Sequence, residues 1–358
     1  MNGWARTGDC RSRRWHLVFL ALIMVVALVG ATSSSRAQVR GEAKPTKIRM
    51  AQAIHAISFA TVYVARSQRY LEEEGLALDF TIIPGAPATQ ALMGGSVDFL
   101  LHASDQLGKL AAKGVPVLAV QSPLATMTMN LALRKEVAQR KGVAPSSPLD
   151  QKLAALKGLT LGVPSPGAAA DTYTRWLLRR GGLDPQRDVQ IVQIGGGEAL
   201  VAALKKGQID GFLLSPPSPE ITESGGYGVV VISNTRGEIE EFRTFVHEVL
   251  LVKAEYAERN PELVEKVARG LSRGNNFLLD HPEETMKIIQ GVWPNADPRI
   301  LQLGLEAVRP GVPRHGRMTE PQWRNVVKIL REAGIVQTGM DTREGRYWTN
   351  RFLRGFPR

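Results

Sequence analysis

One phrase occurs twice in this chain. Residues 91–101 read ALMGGSVDFLL and residues 203–214 read ALKKGQIDGFLL, so Asp98 and Asp210 stand at the same place in two copies. The flanks repeat as well. Each copy follows an apolar strand and a glycine-bearing loop, TIIPGAPATQ at 81–90 and IVQIGGGEAL at 191–200. Further upstream each has a strand, a loop of small residues, and a helix that runs out at Gly75-Leu76 or Gly182-Leu183. A duplicated strand–helix–strand–helix–strand unit predicts two similar α/β lobes with a ligand groove between them. Binding, rather than catalysis, is the first expectation.

A chain of 358 residues is long enough for two cores. Its net charge of +11 is partly local. Residues 1–37 carry Arg6, Arg11, Arg13, Arg14 and Arg36 against Asp9, which leaves 40 basic and 33 acidic residues elsewhere. No basic run interleaved with aromatics occurs there, which argues against a nucleic-acid partner.

The N-terminus predicts export. A basic stretch precedes the apolar run Leu17 to Ala31, and Ser35 and Ala37 place small residues before a cleavage point at Gln38. The run is shorter than the roughly 20 residues that span a bilayer, so residues 1–37 read as a cleaved signal peptide and the mature protein as periplasmic. Ser12-Arg13-Arg14-Trp15-His16-Leu17 is similar to a twin-arginine pattern, and an ordinary basic n-region fits it too. The single cysteine, Cys10, falls within the signal, so the mature chain has neither disulfide nor thiol nucleophile.

The expected fold is α/β, with two lobes around a cleft joined by two crossover strands. Residues 38–125 and 250–358 form a discontinuous first lobe, and residues 126–249 form the second. The alternating stretches Thr126–Arg134 and His247–Lys253 are the expected crossings. Ser58 is the expected N-cap of a helix reaching Glu74, and Ser165-Pro166 the N-cap and first position of a helix reaching Arg180.

In such sheets the ligand sits at the carboxyl ends of strands, in loops that enter helices. Those loops nominate Gln52, His55, Ser58, Gly85, Ala86, His102, Ser104, Ser165, Gly167, Ala168, Ala169, Gly196 and Ser215 as ligand-binding residues. They are small and nearly uncharged, with Asp105 the only acid among them. Converging helix N-termini, each with free amides and a partial positive charge, predict a small anion or an acceptor-rich solute. A neutral heterocycle stacked on Phe59 or Tyr63 is the alternative. Asp98 and Asp210 start their strands, away from the groove, and read as turn or cap residues rather than an acid/base pair. No metal cluster, cofactor motif or catalytic motif is present in the sequence, and no cofactor is expected.

YVARSQRYLEEEGL (63–76), ALMGGSVDFLLHAS, LAALKGLTLGVPSPGAA, GGLDP (181–185) and LKKGQIDGFLL, in that order, resemble exported solute-binding proteins of ABC importers. The nearest group handles nitrate, sulfonates, taurine and the pyrimidine precursor of thiamine. The resemblance covers about residues 46–340. It implies a type II periplasmic binding fold, a monomer that closes by hinge motion, and delivery to a membrane permease driven by an ATPase. It also implies that the loops at Gln52–Ser58, His102–Ser104 and Ser165–Ala169 line the cleft. Fungal thiamine-pyrimidine synthases share that fold but carry a cysteine-rich iron motif, which a mature chain without cysteine does not supply.

Overall fold

Both copies of the repeat become sheets, and the two sheets have the same strand order. The computed structural model describes Met1, residues 44–336 and residues 340–356. The expected signal segment from Asn2 onward, with its cleavage point, lies outside the described residues.

The strands of the first half are β1 (Thr46–Gln52), β2 (Leu76–Ile82), β3 (Phe99–Ala103) and β4 (Val117–Leu124). Those that follow are β5 (Asn130–Arg134), β6 (Thr160–Val163), β7 (Gln190–Gln193), β8 (Gly211–Leu214), β9 (Gly228–Ile232) and β10 (Glu248–Lys253). One sheet runs β2-β1-β3-β10-β4 and the other β7-β6-β8-β5-β9. In each, a parallel trio (β2-β1-β3 or β7-β6-β8) is followed by one antiparallel strand. That strand is the one with which the chain enters the lobe from its neighbour: β5 on the way out, β10 on the way back.

The repeated aspartates explain why the phrase repeats. Asp98 Oδ2 accepts from the backbone N–H of Arg49 at 2.9 Å, and Asp98 N–H donates to the Arg49 carbonyl at 2.8 Å. Asp210 does the same to Thr160, at 2.9 and 2.7 Å. Each carboxylate therefore clips the start of β3 or β8 to the strand beside it, β1 at Arg49 or β6 at Thr160. Arg49 strengthens the first clip through its guanidinium, 2.6 Å from Asp98 Oδ1.

The crossings are shorter than the alternating stretches suggest. Asn130–Arg134 is already a strand of the second sheet, and Glu248–Lys253 is a buried central strand of the first. The passage itself is made by residues 125–129 and 243–247, which lie side by side: Met127 N–H donates to the Phe242 carbonyl at 3.3 Å, and His247 N–H to the Leu124 carbonyl at 3.0 Å.

Two helix starts also differ from expectation. The helix after β1 begins as a short 3-10 turn, Ile57–Phe59, runs as Ala60–Ser67, and breaks at Arg69, whose φ is +57°, before Tyr70–Glu73. Ser58 caps nothing, because its hydroxyl points inward. The helix expected from Ser165 starts only at Ala169, with Ala168 as N-cap, since residues 165–168 form a turn closed by Ala168 N–H onto the Ser165 carbonyl.

The first sheet is covered by the helix Pro261–Asp280, which packs on Ala60–Ser67 so closely that a Cβ at Gly274 would lie 2.4 Å from the Thr61 carbonyl oxygen. Val267 and Leu271 on that helix join Ile48, Phe99 and Val252 in one fully buried core. Each such side chain contributes roughly 2 kcal/mol through burial. A second core runs continuously from Leu100 and Leu107 to Leu131, Phe212 and Trp176, and the C-terminal helix Glu320–Glu332 adds Trp323 to it. That helix also ties the lobes, through Trp176 Nε1–H donating to Glu332 at 3.0 Å. Among the described residues, no helix is long and apolar enough to cross a membrane.

Candidate functional site

The carboxyl ends of the parallel strands face each other across a cleft, and the lobes touch around it. Ile57 N–H donates to the Pro216 carbonyl at 3.0 Å. Lys109, on the helix Asp105–Ala112, donates to the Gly167 carbonyl at 2.8 Å and to Thr172 Oγ1 at 2.6 Å. A Cβ on Gly85 would sit 2.4 Å from Ser165 Oγ. This is a closed arrangement of the two lobes.

Two chambers lie inside. The inner one is about 40 Å³ and is walled by Phe59, Gly85, His102, Met129, Ala168–Ala170 and Glu248. That is room for roughly three water-sized groups. The outer one is about 910 Å³ and is bordered by His55, Gly196, Glu198, Lys205, Tyr227 and Trp293. Ala53, Ile54 and Pro164 belong to both walls, so the small chamber sits behind the large one.

The inner wall is apolar except for the His102 ring and one carboxyl. Glu248 begins β10, and because that strand runs antiparallel its first residue pairs with the last residue of β3, Ala103. The side chain is 2 % exposed. Its Oε1 accepts from Ser58 Oγ at 2.9 Å, and its Oε2 has no hydrogen-bond partner within the protein. Burial pushes this carboxyl up to about 8; the charge on Asp105 pushes the same way and the Ser58 hydroxyl opposes. His247 Nε2 is 3.7 Å from Glu248 Oε1, too far for a hydrogen bond, and burial drives that imidazole down to about 3. His102 is lowered for the same reason. Both buried rings are therefore neutral neighbours of a carboxyl that is itself easily neutral.

Asp105 marks the lobe contact rather than the chamber. Its fully buried carboxylate pairs with Lys109 and lies 3.0 Å from the Thr172 hydroxyl of the opposite lobe. Among the described residues, no group of three or more His, Cys, Asp or Glu side chains is placed to hold a metal ion.

The structure divides the nominated residues into three groups. Gly85, His102, Ala168 and Ala169 line the inner chamber, and His55 and Gly196 line the outer one. Gln52, Ser58, Ser104 and Ser215 lie behind the wall and hydrogen-bond within the protein, with Gln52 Oε1 left without a partner. Gln52 Nε2 donates to Tyr63 Oη at 2.6 Å, Ser104 Oγ to the Val246 carbonyl, and Ser215 Oγ is 3.1 Å from Thr128 Oγ1. Ser165 and Gly167 hold the lobe contact. Ala86 opens the helix Ala86–Met93.

Two further expectations are corrected. Tyr63 cannot stack on a ligand, because its ring is buried edge-on between His55 and Trp293, at 5.8 and 5.4 Å. The aromatic surface that does reach the outer chamber is His55 stacked on Trp293 at 4.3 Å. The site is also not free of acids beyond Asp105. Glu248 was missed because the loop rule looks only at strand carboxyl ends, whereas an antiparallel strand brings its amino end to the same rim. The signal was a lone acid heading the apolar run VLLV at 249–252.

The helix starts at the cleft remain open to a ligand: Gly85, Ala168 and Gly196 are N-caps without any side-chain cap. At Ala169–Arg180 a carboxylate is already in place, with Asp171 Oδ2 accepting from Gly167 N–H at 2.8 Å and Oδ1 paired with Arg175 at 2.7 Å.

This two-lobed cleft with matched sheets is shared with known proteins. Residues 41–292, well over half of the chain, match the NMT1-like family. The chain belongs to that family. YtlA of Bacillus subtilis (strain 168), whose name assigns a binding role without a ligand, is 22% identical over 90% of this chain and 92% of its own. RibY of Chloroflexus aurantiacus, a riboflavin-binding protein, is 25% identical over 84% of this chain and 83% of its own. The nitrate/nitrite binding protein NrtA of Synechococcus elongatus is 30% identical, over only 37% of this chain and 28% of its own. A structure from Bordetella bronchiseptica RB50 superimposes with a TM-score of 0.75, at 21% identity, covering 87% of this chain and 96% of that one. The periplasmic aliphatic sulphonate binding protein SsuA of Escherichia coli does so at 0.63 and 18% identity, covering 87% of this chain and all of that one. The fold of this NMT1-like chain is the type II periplasmic binding fold.

Proposed function

We propose that this protein is the exported solute-binding component of an ABC importer. It captures a small polar organic solute by closing two lobes, one built on the sheet β2-β1-β3-β10-β4 and the other on the sheet β7-β6-β8-β5-β9. It then delivers the solute, as a periplasmic monomer, to an inner-membrane permease and its ATPase. The observation that carries this reading is the pair of chambers enclosed where the lobes meet, with uncapped helix starts and an unpartnered carboxyl on the inner wall. Nothing in that chamber resembles a catalytic group with a partner to activate it. The similarity to YtlA, RibY and NrtA, all named for binding, supports the same role.

Two solute classes compete. A nitrate- or sulfonate-like anion is favoured by the three uncapped helix N-termini. A neutral, planar heterocycle is favoured by the aromatic border of the outer chamber and by Glu248, which would repel an anion once ionised. The second is the stronger reading, because the basic side chain on the inner chamber's wall, His102, is held neutral by burial. A thermal-shift screen of nitrate, small sulfonates, carboxylates and heterocycles on the mature protein tests the function, since a solute that binds only the folded state raises the melting temperature. Ala168→Leu, which fills the inner chamber, should abolish the shift. If no solute shifts wild type, or if the shift survives in Ala168→Leu, the reading fails.

A further inference from the structure

The inner chamber presents opposite polarities from opposite lobes. On the second lobe's side stand Ala168, Ala169 and Ala170, the start of a twelve-residue helix with no side-chain cap. Their small side chains let a ligand approach amides that carry the positive end of the helix dipole. On the first lobe's side stands Glu248 Oε2, 2 % exposed and without a partner in the protein. A buried carboxyl oxygen left unpaired is costly unless something on the ligand satisfies it.

We propose that the inner chamber reads an amide-like edge, a carbonyl oxygen beside an N–H, as found in carboxamides, lactams and ureides. The N–H donates to Glu248 Oε2, and the carbonyl oxygen accepts from the backbone amides of the helix start at Ala168–Ala170. This rests on the solute-binding role proposed above and names the chemistry of the solute's buried end. An oxyanion such as nitrate or a sulfonate carries only acceptors, so it leaves Glu248 unmet wherever that carboxyl is ionised. An amine or amidinium carries only donors and points them at the positive end of the helix. A group with one donor and one acceptor side by side satisfies both walls. The chamber's size, about 40 Å³, suits that flat end and nothing bulkier. The rest of the solute then lies in the outer chamber, beside the His55–Trp293 stack.

Three probes that share one ring and differ only in the head test this. Benzamide offers a carbonyl and an N–H, benzoate two acceptors and a negative charge, benzamidine only donors. Calorimetry on the full mature protein at about pH 9, where the Glu248 carboxyl is ionised, should show benzamide binding at least tenfold more tightly than either of the others. In Glu248→Gln the side chain presents an N–H₂ beside its carbonyl, so benzoate should gain at least fivefold relative to benzamide. In Glu248→Ala the preference for benzamide should collapse to within about threefold. Circular dichroism of both variants checks that they fold. Preference of the wild type for benzoate, an unchanged benzamide-to-benzoate ratio in Glu248→Gln, or no binding of any probe at millimolar concentration would each overturn the proposal. In all three cases a solute that raises the melting temperature of wild type but not of Ala168→Leu would leave the solute-binding role standing.

Discussion

Thr172, on the second lobe, holds its hydroxyl 3.0 Å from the buried carboxylate of Asp105 on the first and accepts from Lys109 at 2.6 Å. Three side chains thus join the lobes at one point, and Lys109 adds the Gly167 carbonyl. The contact belongs to the closed arrangement, because separating the lobes parts Thr172 and Gly167 from the other two.

Removing the hydroxyl should loosen closure without unfolding either lobe. Thr172→Val is expected to lower solute affinity about fivefold, the equivalent of roughly 1 kcal/mol for one hydrogen bond. Small-angle scattering of the ligand-free variant should show a larger radius of gyration. Lys109→Met should act differently. It leaves Asp105 buried without its cation, and a cost of about 3–5 kcal/mol in chemical denaturation is expected. If Thr172→Val loses as much global stability as Lys109→Met, the contact is a core element and not a latch.

The two buried titratable groups at the hinge set a pH profile of stability. Glu248 has a folded value near 8 against an ordinary 4.5, so the folded state holds a proton the unfolded state has lost between those limits. Its contribution is fully present below about 4.5 and is lost as pH rises toward 8. His247 has a folded value near 3 against 6.5, so its contribution is lost as pH falls from 6.5 toward 3. The slopes, about 1.4 kcal/mol per pH unit each, oppose one another between 4.5 and 6.5. Above 6.5 only the Glu248 slope remains, and about 2 kcal/mol should be lost by pH 8. The groups facing Glu248 do not reverse this: the Ser58 hydroxyl opposes the shift that burial imposes, Asp105 reinforces it, and His102 is held neutral by burial. Urea titrations should find Glu248→Gln more stable than wild type at pH 8 and within about 1 kcal/mol of it at pH 5. Equal stability at pH 8 would mean that the carboxyl is ionised and satisfied there.

The repeated phrase yields a paired test. Asp98→Ala removes the carboxylate that accepts from the Arg49 backbone and guanidinium, and Asp210→Ala removes the one that accepts from Thr160. Each is expected to cost about 2 kcal/mol. The clips lie in different lobes and share no partner, so the double variant should cost the sum within about 0.5 kcal/mol. Solute affinity should change little, because both clips are at the strand ends away from the cleft. A loss of affinity larger than the loss of stability would place them in the site after all.

The duplicated architecture was legible because the clip is local: an aspartate opening an apolar strand after a glycine-stopped helix is written in consecutive residues, once per lobe. Gly85, His102, Ala168 and Ala169 were legible for the same reason, since each ends a strand or opens a helix. What could not be read depends on pairing between distant segments. Glu248 reaches the chamber only because β10 inserts antiparallel between β3 and β4, and Tyr63 is withdrawn only because Trp293, from beyond the second lobe, packs against it. Ser165 has every local mark of a helix cap. The chain instead spends residues 165–168 on a turn that faces Gly85 across the cleft.

That facing pair gives the sharpest test of closure. Gly85 has a φ of +74°, and a Cβ there would stand 2.4 Å from Ser165 Oγ and 3.4 Å from Ser165 Cβ. Gly85→Ala therefore carries two separable costs. The backbone strain, roughly 1–2 kcal/mol, is present whether the lobes are open or closed and appears in the melting temperature. The overlap with Ser165 exists only when the lobes meet, so it appears in solute affinity, with an expected loss of at least tenfold. Ser165→Gly removes the obstacle without touching the strain. In the double variant, affinity should recover most of that loss while the melting temperature stays as low as in Gly85→Ala. Recovery of both together would mean that Ser165 and Gly85 are packed against each other in every state of the protein, and failure of the affinity to recover would mean that strain alone disables the cleft.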